Sequence, residues 1–119
     1  MDEADAYLRS EHPHAAGVAT WTLAALRAAD PDLEARVRRG WRSVSLHHPD
    51  VGYVCGIFPA AGGGVRVFFE HGGTLPDPEG VLEGEGLRGR WLPITSTDEA
   101  TAERLRGFAH DAVIRRVFR

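Results

Sequence analysis

A chain of 119 residues is long enough for one domain that buries about two-thirds of its unfolded surface without disulfides or a structural metal. All fourteen basic residues are arginine, set against seventeen acids for a net charge of −3. That balance argues against nucleic acid as a partner, because phosphate binding asks for a basic surplus or stripe. The only candidate stripe, Arg36, Arg38, Arg39 and Arg42, reads as a solvated strand edge. The single cysteine, Cys55, excludes an internal disulfide, and no apolar run approaches the roughly 20 residues of a membrane span. The acidic start, Met1 to Asp5, is opposite in charge to a secretory leader, so the expectation is a cytoplasmic protein with no membrane partner.

Residues 13–29 place Ala15, Val18, Ala19, Thr22, Ala25, Leu26 and Ala29 on one face at helical period, with Trp21 and Leu23 bordering it. Asp30-Pro31 ends this helix and opens a short capped turn through Glu34. From Val37 the pattern is extended: Val44 and Leu46 alternate with Ser43, Ser45 and His47, which predicts a strand with one wet face. After a turn at His48-Pro49-Asp50, the run Val51 to Phe58 is apolar on both faces and reads as a central strand. A flexible hairpin over Ala60 to Gly64 leads to a strand at Val65 to Phe69, and Arg90 to Ile94 reads as another. Ser96-Thr97-Asp98-Glu99 has the form of a capping box, with serine and glutamate as the capping side chains. The helix it starts would bury Leu105, Phe108, Ala109, Ala112 and Val113, and carry Arg115, Arg116 and Arg119 near its end, where the helix dipole favours them. The expected architecture over 1–119 is a single α+β domain, a two-layer sandwich whose antiparallel sheet of about four to six strands is flanked by N- and C-terminal helices.

Gly84-Glu85-Gly86-Leu87-Arg88-Gly89 matches the spacing of a dinucleotide fingerprint, but a loop precedes it and a strand follows, where the fingerprint needs a strand and then a helix. No Ser-His-Asp set stands out; Ser43 and Ser45 alternate beside His47 without a nucleophile elbow. Cys55 lies in the most apolar strand and reads as a packed small hydrophobe. Six histidines fall partly in two clusters, Glu11, His12 and His14, and His47, His48 and Asp50, neither with the i, i+4 spacing of a zinc protease. Asp2, Glu3, Asp5 and Glu11, with His12 and His14, are the set that would hold a hard cation loosely; acids at a helix start are also explained by the helix dipole. No cofactor is otherwise expected.

The favoured ligand surface gathers Trp41, Glu70, His71, Asp77, Glu83, Arg88, Arg90 and Trp91. Arg88 and Arg90 are two apart in an extended segment and so share a face. Paired guanidinium groups bind a carboxylate or phosphate, or else order the 71–87 loop by pairing with Glu70 or Glu83. That loop is long for a simple connection, and long loops are often functional.

The run Gly72, Leu75-Pro76-Asp77-Pro78, Gly80, Leu82-Glu83-Gly84, Gly86, Arg88 and Arg90 resembles the signature of the YdhG-like domain-of-unknown-function family. Glu34 to Ser45 is similar to a further family segment, and the resemblance spans about residues 5–115. The chain departs from the pattern at Arg39 and Arg42 around Gly40, with Trp41 between, and at Leu87, where a basic residue is usual. The resemblance implies a bacterial, frataxin-like α+β sandwich and, for some members, an iron-chaperone role in iron-sulfur or haem assembly. It carries over no catalytic residue. The resulting expectation is a non-enzymatic protein that binds a small molecule or a protein partner through Trp41, Arg88, Arg90 and the loop, with a homodimer among the open arrangements. The alternative is iron handling at the N-terminal acids and histidines.

Overall fold

A computed structural model describes residues 2–86 and 88–117; Met1, Leu87 and Arg119 lie outside them. The chain runs α1 (Glu3–Glu11), α2 (Ala16–Ala29), β1 (Glu34–Arg38), β2 (Ser43–His48), β3 (Gly52–Pro59), β4 (Val65–Phe69), β5 (Arg90–Ile94) and α3 (Glu99–Val117), with 3-10 turns at Arg39–Trp41 and Gly72–Thr74. The five strands lie in chain order, each antiparallel to the next. This is the expected α+β class.

Period-two alternation decides which side of the sheet is covered. Val65, Val67 and Phe69 of β4 and Leu92 and Ile94 of β5 are buried, while Arg66, Phe68, Trp91 and Pro93 take the other parity. The buried set joins Leu8 of α1, Leu23 and Leu26 of α2, and Leu105, Phe108 and Ala109 of α3 in one core. The Phe69 and Phe108 rings meet there at 5.9 Å. In β3 the register slips opposite Leu46 and His47, a bulge that lets the consecutive residues Val54 and Cys55 both enter the core. Arg116 near the end of α3 donates to the carbonyls of Tyr53 and Val51, locking that helix to β3.

The structure corrects several boundaries. The N-terminal acids form a helix of their own, α1, which Asp2 and Asp5 start with a reciprocal capping box. The following helix begins at Ala16, not at residue 13, and Leu23 is fully buried within it. The extended run from Val37 is two strands, because Arg39–Trp41 makes a 3-10 turn and Arg42 reverses the chain at φ 54. In α3 the cap is Asp98, whose carboxylate takes the Thr101 N–H at 2.8 Å, while Ser96 Oγ accepts from the Asp98 N–H. The serine face of β2 is not wet: Ser43 and Ser45 are 0% and 1% exposed. No helix among the described residues is long and apolar enough to cross a membrane.

The start of α1 is set by charge. The Asp5 backbone N–H donated to Asp2, with Arg27 at 2.5 Å, holds the Asp2 carboxyl at about 2, below its ordinary 3.8. A carboxyl depressed by folding stabilises above its unfolded value, and that contribution is lost as pH falls from about 4 towards 2. Solvent screening limits it to about 1 kcal/mol or less. Thermal melts of the parent should therefore lose more stability across this window than melts of Asp2→Asn. Equal slopes would show that the cap is not coupled to folding.

Candidate functional site

Helices cover one face of the sheet and leave the other to side chains alone. Across that open face, the registers Arg36↔Ser45, Ser45↔Gly56, Gly56↔Phe68 and Phe68↔Trp91 form one row spanning all five strands. Phe58↔Arg66 and Arg66↔Pro93 lie in the neighbouring row. Gly56 makes the low point: a Cβ there would stand 2.8 Å from Tyr53 Oη and 2.9 Å from Phe58 Cε2. Gly89 does the same at the sheet end, where a Cβ would fall 2.0 Å from Phe68 Cζ.

These two glycines let the rings crowd together. Trp91 meets Phe58 edge-on at 5.2 Å and Phe68 at 4.8 Å, both within the range of favourable aromatic pairs. The Arg66 guanidinium stacks 3.8 Å over the Trp91 ring. Trp41 completes the group from the turn before β2 and is 62% exposed. Together Trp41, Tyr53, Phe58, Phe68, Glu70 and Trp91 line an open hollow of about 320 Å³.

Its polar rim is uneven. On the β1–β2 side, Arg38 Nε donates to Ser45 Oγ at 3.1 Å, and Ser45 Oγ lies 3.0 Å from His47 Nε2. Arg38 Nη2 also faces His47 Nε2 at 3.5 Å, so that nitrogen is an acceptor and the ring proton sits on Nδ1. Burial, then Arg36 and Arg38, lowers the His47 pKa against the opposing pull of Glu34. The Ser45–His47 pair has the form of a nucleophile and base, yet the hydroxyl is shut beneath its neighbours. On the other side, the Glu70 carboxylate makes no hydrogen bond or ion pair with a described residue. Burial holds the Tyr53 phenol above its ordinary pKa, reinforced by Cys55 and Glu70 and opposed more weakly by Arg38.

Of the eight residues expected to form the ligand surface, only Trp41, Glu70 and Trp91 line this hollow. The two arginines take different roles. Arg90 shares the parity of buried Leu92 and Ile94, opposite to Trp91, and its guanidinium turns back to the Gly89 and Gly86 carbonyls at 2.9 and 2.7 Å. Arg88 is exposed and contributes its carbonyl to the Gly73 N–H. Asp77 clamps the loop from within, accepting the Val81 and Leu82 N–H groups at 2.9 Å each. Glu83 pairs with Trp91 through both backbones, and the His71 carbonyl receives the Thr74 N–H and hydroxyl. The glycine-rich run leads into β5, not a helix, which removes the dinucleotide geometry. Tyr53, Phe58 and Phe68 were missed. Their signal is the aromatic residue at the outward parity of an otherwise inward-packed strand, plain in Arg66-Val67-Phe68-Phe69.

The proposed cation ligands are dispersed among structural roles. Arg27 reaches Asp2 and Asp5 at 2.5 and 3.5 Å, and Arg42 holds Glu11 at 2.6 Å. His12 is buried with Nε2 3.1 Å from the Arg42 carbonyl; Glu3 and His14 are exposed. His47 and His48 take opposite sheet faces, so the second histidine cluster does not converge either. Among the described residues, Asp30, Asp32 and His48 do place ligand atoms within 4.8 Å of one another. His48 Nδ1, however, accepts the Asp50 N–H at 3.1 Å, which puts the proton on Nε2, 3.7 Å from Asp30 Oδ2. A cation on Nε2 would force that proton onto Nδ1, against the backbone donor. Cys55 is fully buried, its thiol pushed up to about 12 by burial, which leaves no thiolate for chemistry near neutrality.

No family model, curated protein or solved structure matches this chain.

The loop geometry separates the two arginines. Arg90→Ala should lower stability by about 1 kcal/mol, a fall in Tm of about 5 °C, because two loop carbonyls lose their donor. Arg88→Ala should leave Tm unchanged in the same calorimetric scan. Equal losses would mean that both guanidinium groups brace the loop.

Proposed function

We propose that this chain is a non-enzymatic binding protein whose contact surface is the open sheet face, centred on the aromatic hollow. The observation that carries this reading is the convergence of five rings, Trp41, Tyr53, Phe58, Phe68 and Trp91, on a face that no helix covers. Isolated exposed aromatics are ordinary; a contiguous group rimmed by charge is the composition of a contact site. Catalysis has little support here, since Ser45 on this face and Cys55 in the core are both closed off by burial. Aromatic rings with arginines on a sheet also serve as a base-stacking platform. Glu70 in the hollow and Glu83 beside Trp91 would meet incoming phosphates with like charge, as would the net −3.

The iron-chaperone alternative has less support, because arginines occupy the carboxylates at Asp2, Asp5 and Glu11. The YdhG-like reading is supported by the run Gly72 to Arg90 and the segment Glu34 to Ser45. A cytoplasmic setting suits the lone buried thiol.

Titration of the 15N-labelled chain with benzyl alcohol, a neutral aromatic fragment, tests the surface. The expected shifts concentrate at Tyr53, Phe58, Phe68, Glu70 and Trp91 and at the Trp41 indole. Shifts confined to the 71–87 loop, or spread evenly over the chain, would overturn this assignment.

A further inference from the structure

Resting on that reading, we infer that the hollow receives the guanidinium of an arginine side chain presented by a protein partner. The aromatic walls offer electron-rich ring faces, which attract an organic cation. Glu70 supplies the one carboxylate in the lining and has no counter-ion among the described residues. A planar guanidinium satisfies both features at once: it stacks on an exposed ring such as Trp41 while its N–H fork meets the Glu70 oxygens. The fold already uses this chemistry a few ångströms away, where Arg66 lies on Trp91.

The nearby positive groups do not cancel the attraction. Arg38 is drawn into the Ser45 and His47 cluster, and Arg66 is committed to its stack. At Tyr53, which lines the hollow, the influence of Glu70 outweighs that of Arg38. The lining of the hollow therefore carries a carboxylate and no guanidinium, although three arginines, Arg36, Arg38 and Arg66, belong to the same sheet face.

The test compares acetyl-Gly-Arg-Gly-amide with the same peptide carrying citrulline, a neutral near-isostere of arginine, by NMR titration of the whole chain. Benzyl alcohol serves as the control for the hollow itself. The arginine peptide should shift Trp41, Tyr53, Phe68 and Glu70 and bind roughly tenfold more tightly than the citrulline peptide. Glu70→Gln should bring the arginine peptide down to the citrulline level. Trp41→Ala, at an exposed position, should weaken the arginine peptide without altering the fold. Equal binding of the two peptides, or no arginine shift where benzyl alcohol still binds, would overturn the cation inference and leave the contact surface standing. Failure of all three probes at the hollow would remove both. Methylguanidinium chloride binding as well as the peptide does would overturn the assignment to a protein side chain.

Discussion

Five antiparallel strands present two faces, and three helices cover only one of them. That asymmetry governs the rest of the molecule. Apolar burial stabilises roughly in proportion to area removed from water, so the inward parity of β2, β3, β4 and β5 supplies Val44, Leu46, Ile57, Val65, Val67, Phe69, Leu92 and Ile94 to a single core shared with the helices. The outward parity has no second layer to meet. Its residues protect one another instead, through ring-on-ring packing on β3, β4 and β5 and through a polar cluster on β1 and β2. A sheet face closed by its own side chains stays partly open to solvent, and here the opening lies where the rings are largest.

Backbone approach sets where the hollow forms. Removing the side chain at position 56 lets Tyr53 and Phe58 lean over the central strand, and removing it at 89 admits the Phe68 ring. Gly72 works on the opposite side, where a Cβ would come within 2.8 Å of the Arg90 nitrogen, so the 3-10 turn can lie directly on β5. The long connection is thereby held flat against the sheet end, with Asp77 closing its middle and Arg90 its end. Its length reflects internal hydrogen bonding more than an exposed binding loop.

The fold class was legible because period two and period 3.6 are local properties: β4, β5 and the buried stripe of α3 follow directly from alternation and spacing. The site was less legible, for a physical reason. Two-residue spacing gives Arg88 and Arg90 one face, but spacing says nothing of which face the core occupies or of the carbonyls at Gly86 and Gly89 that take the Arg90 guanidinium. Likewise Ser43 and Ser45 looked wet because serine is polar, yet on a central strand their small side chains are overtopped by larger neighbours. The short helix α1 was hidden by its acids, since a capping box built from two aspartates reads in sequence as a bare acidic patch.

The arginine-only complement gives the molecule a uniform way of closing seams. Arg27 joins α2 to the start of α1, Arg42 ties the turn after β1 to the end of α1, Arg116 fixes α3 to β3, and Arg90 fastens the loop. Each uses a planar fork of donors, a geometry that a lysine ammonium would not reproduce. Arg66 is the departure, because it spends its planar face on Trp91 and not on an acid. Arg66 is stacked on Trp91 and Arg38 is held by Ser45 and His47, so both forks are engaged elsewhere than at Glu70. A carboxylate beside packed rings is less well screened than one in open water, and Glu70 stands in that setting at the edge of the hollow. Among the described residues, no guanidinium closes this rim in the way that Arg27, Arg42, Arg90 and Arg116 close their seams.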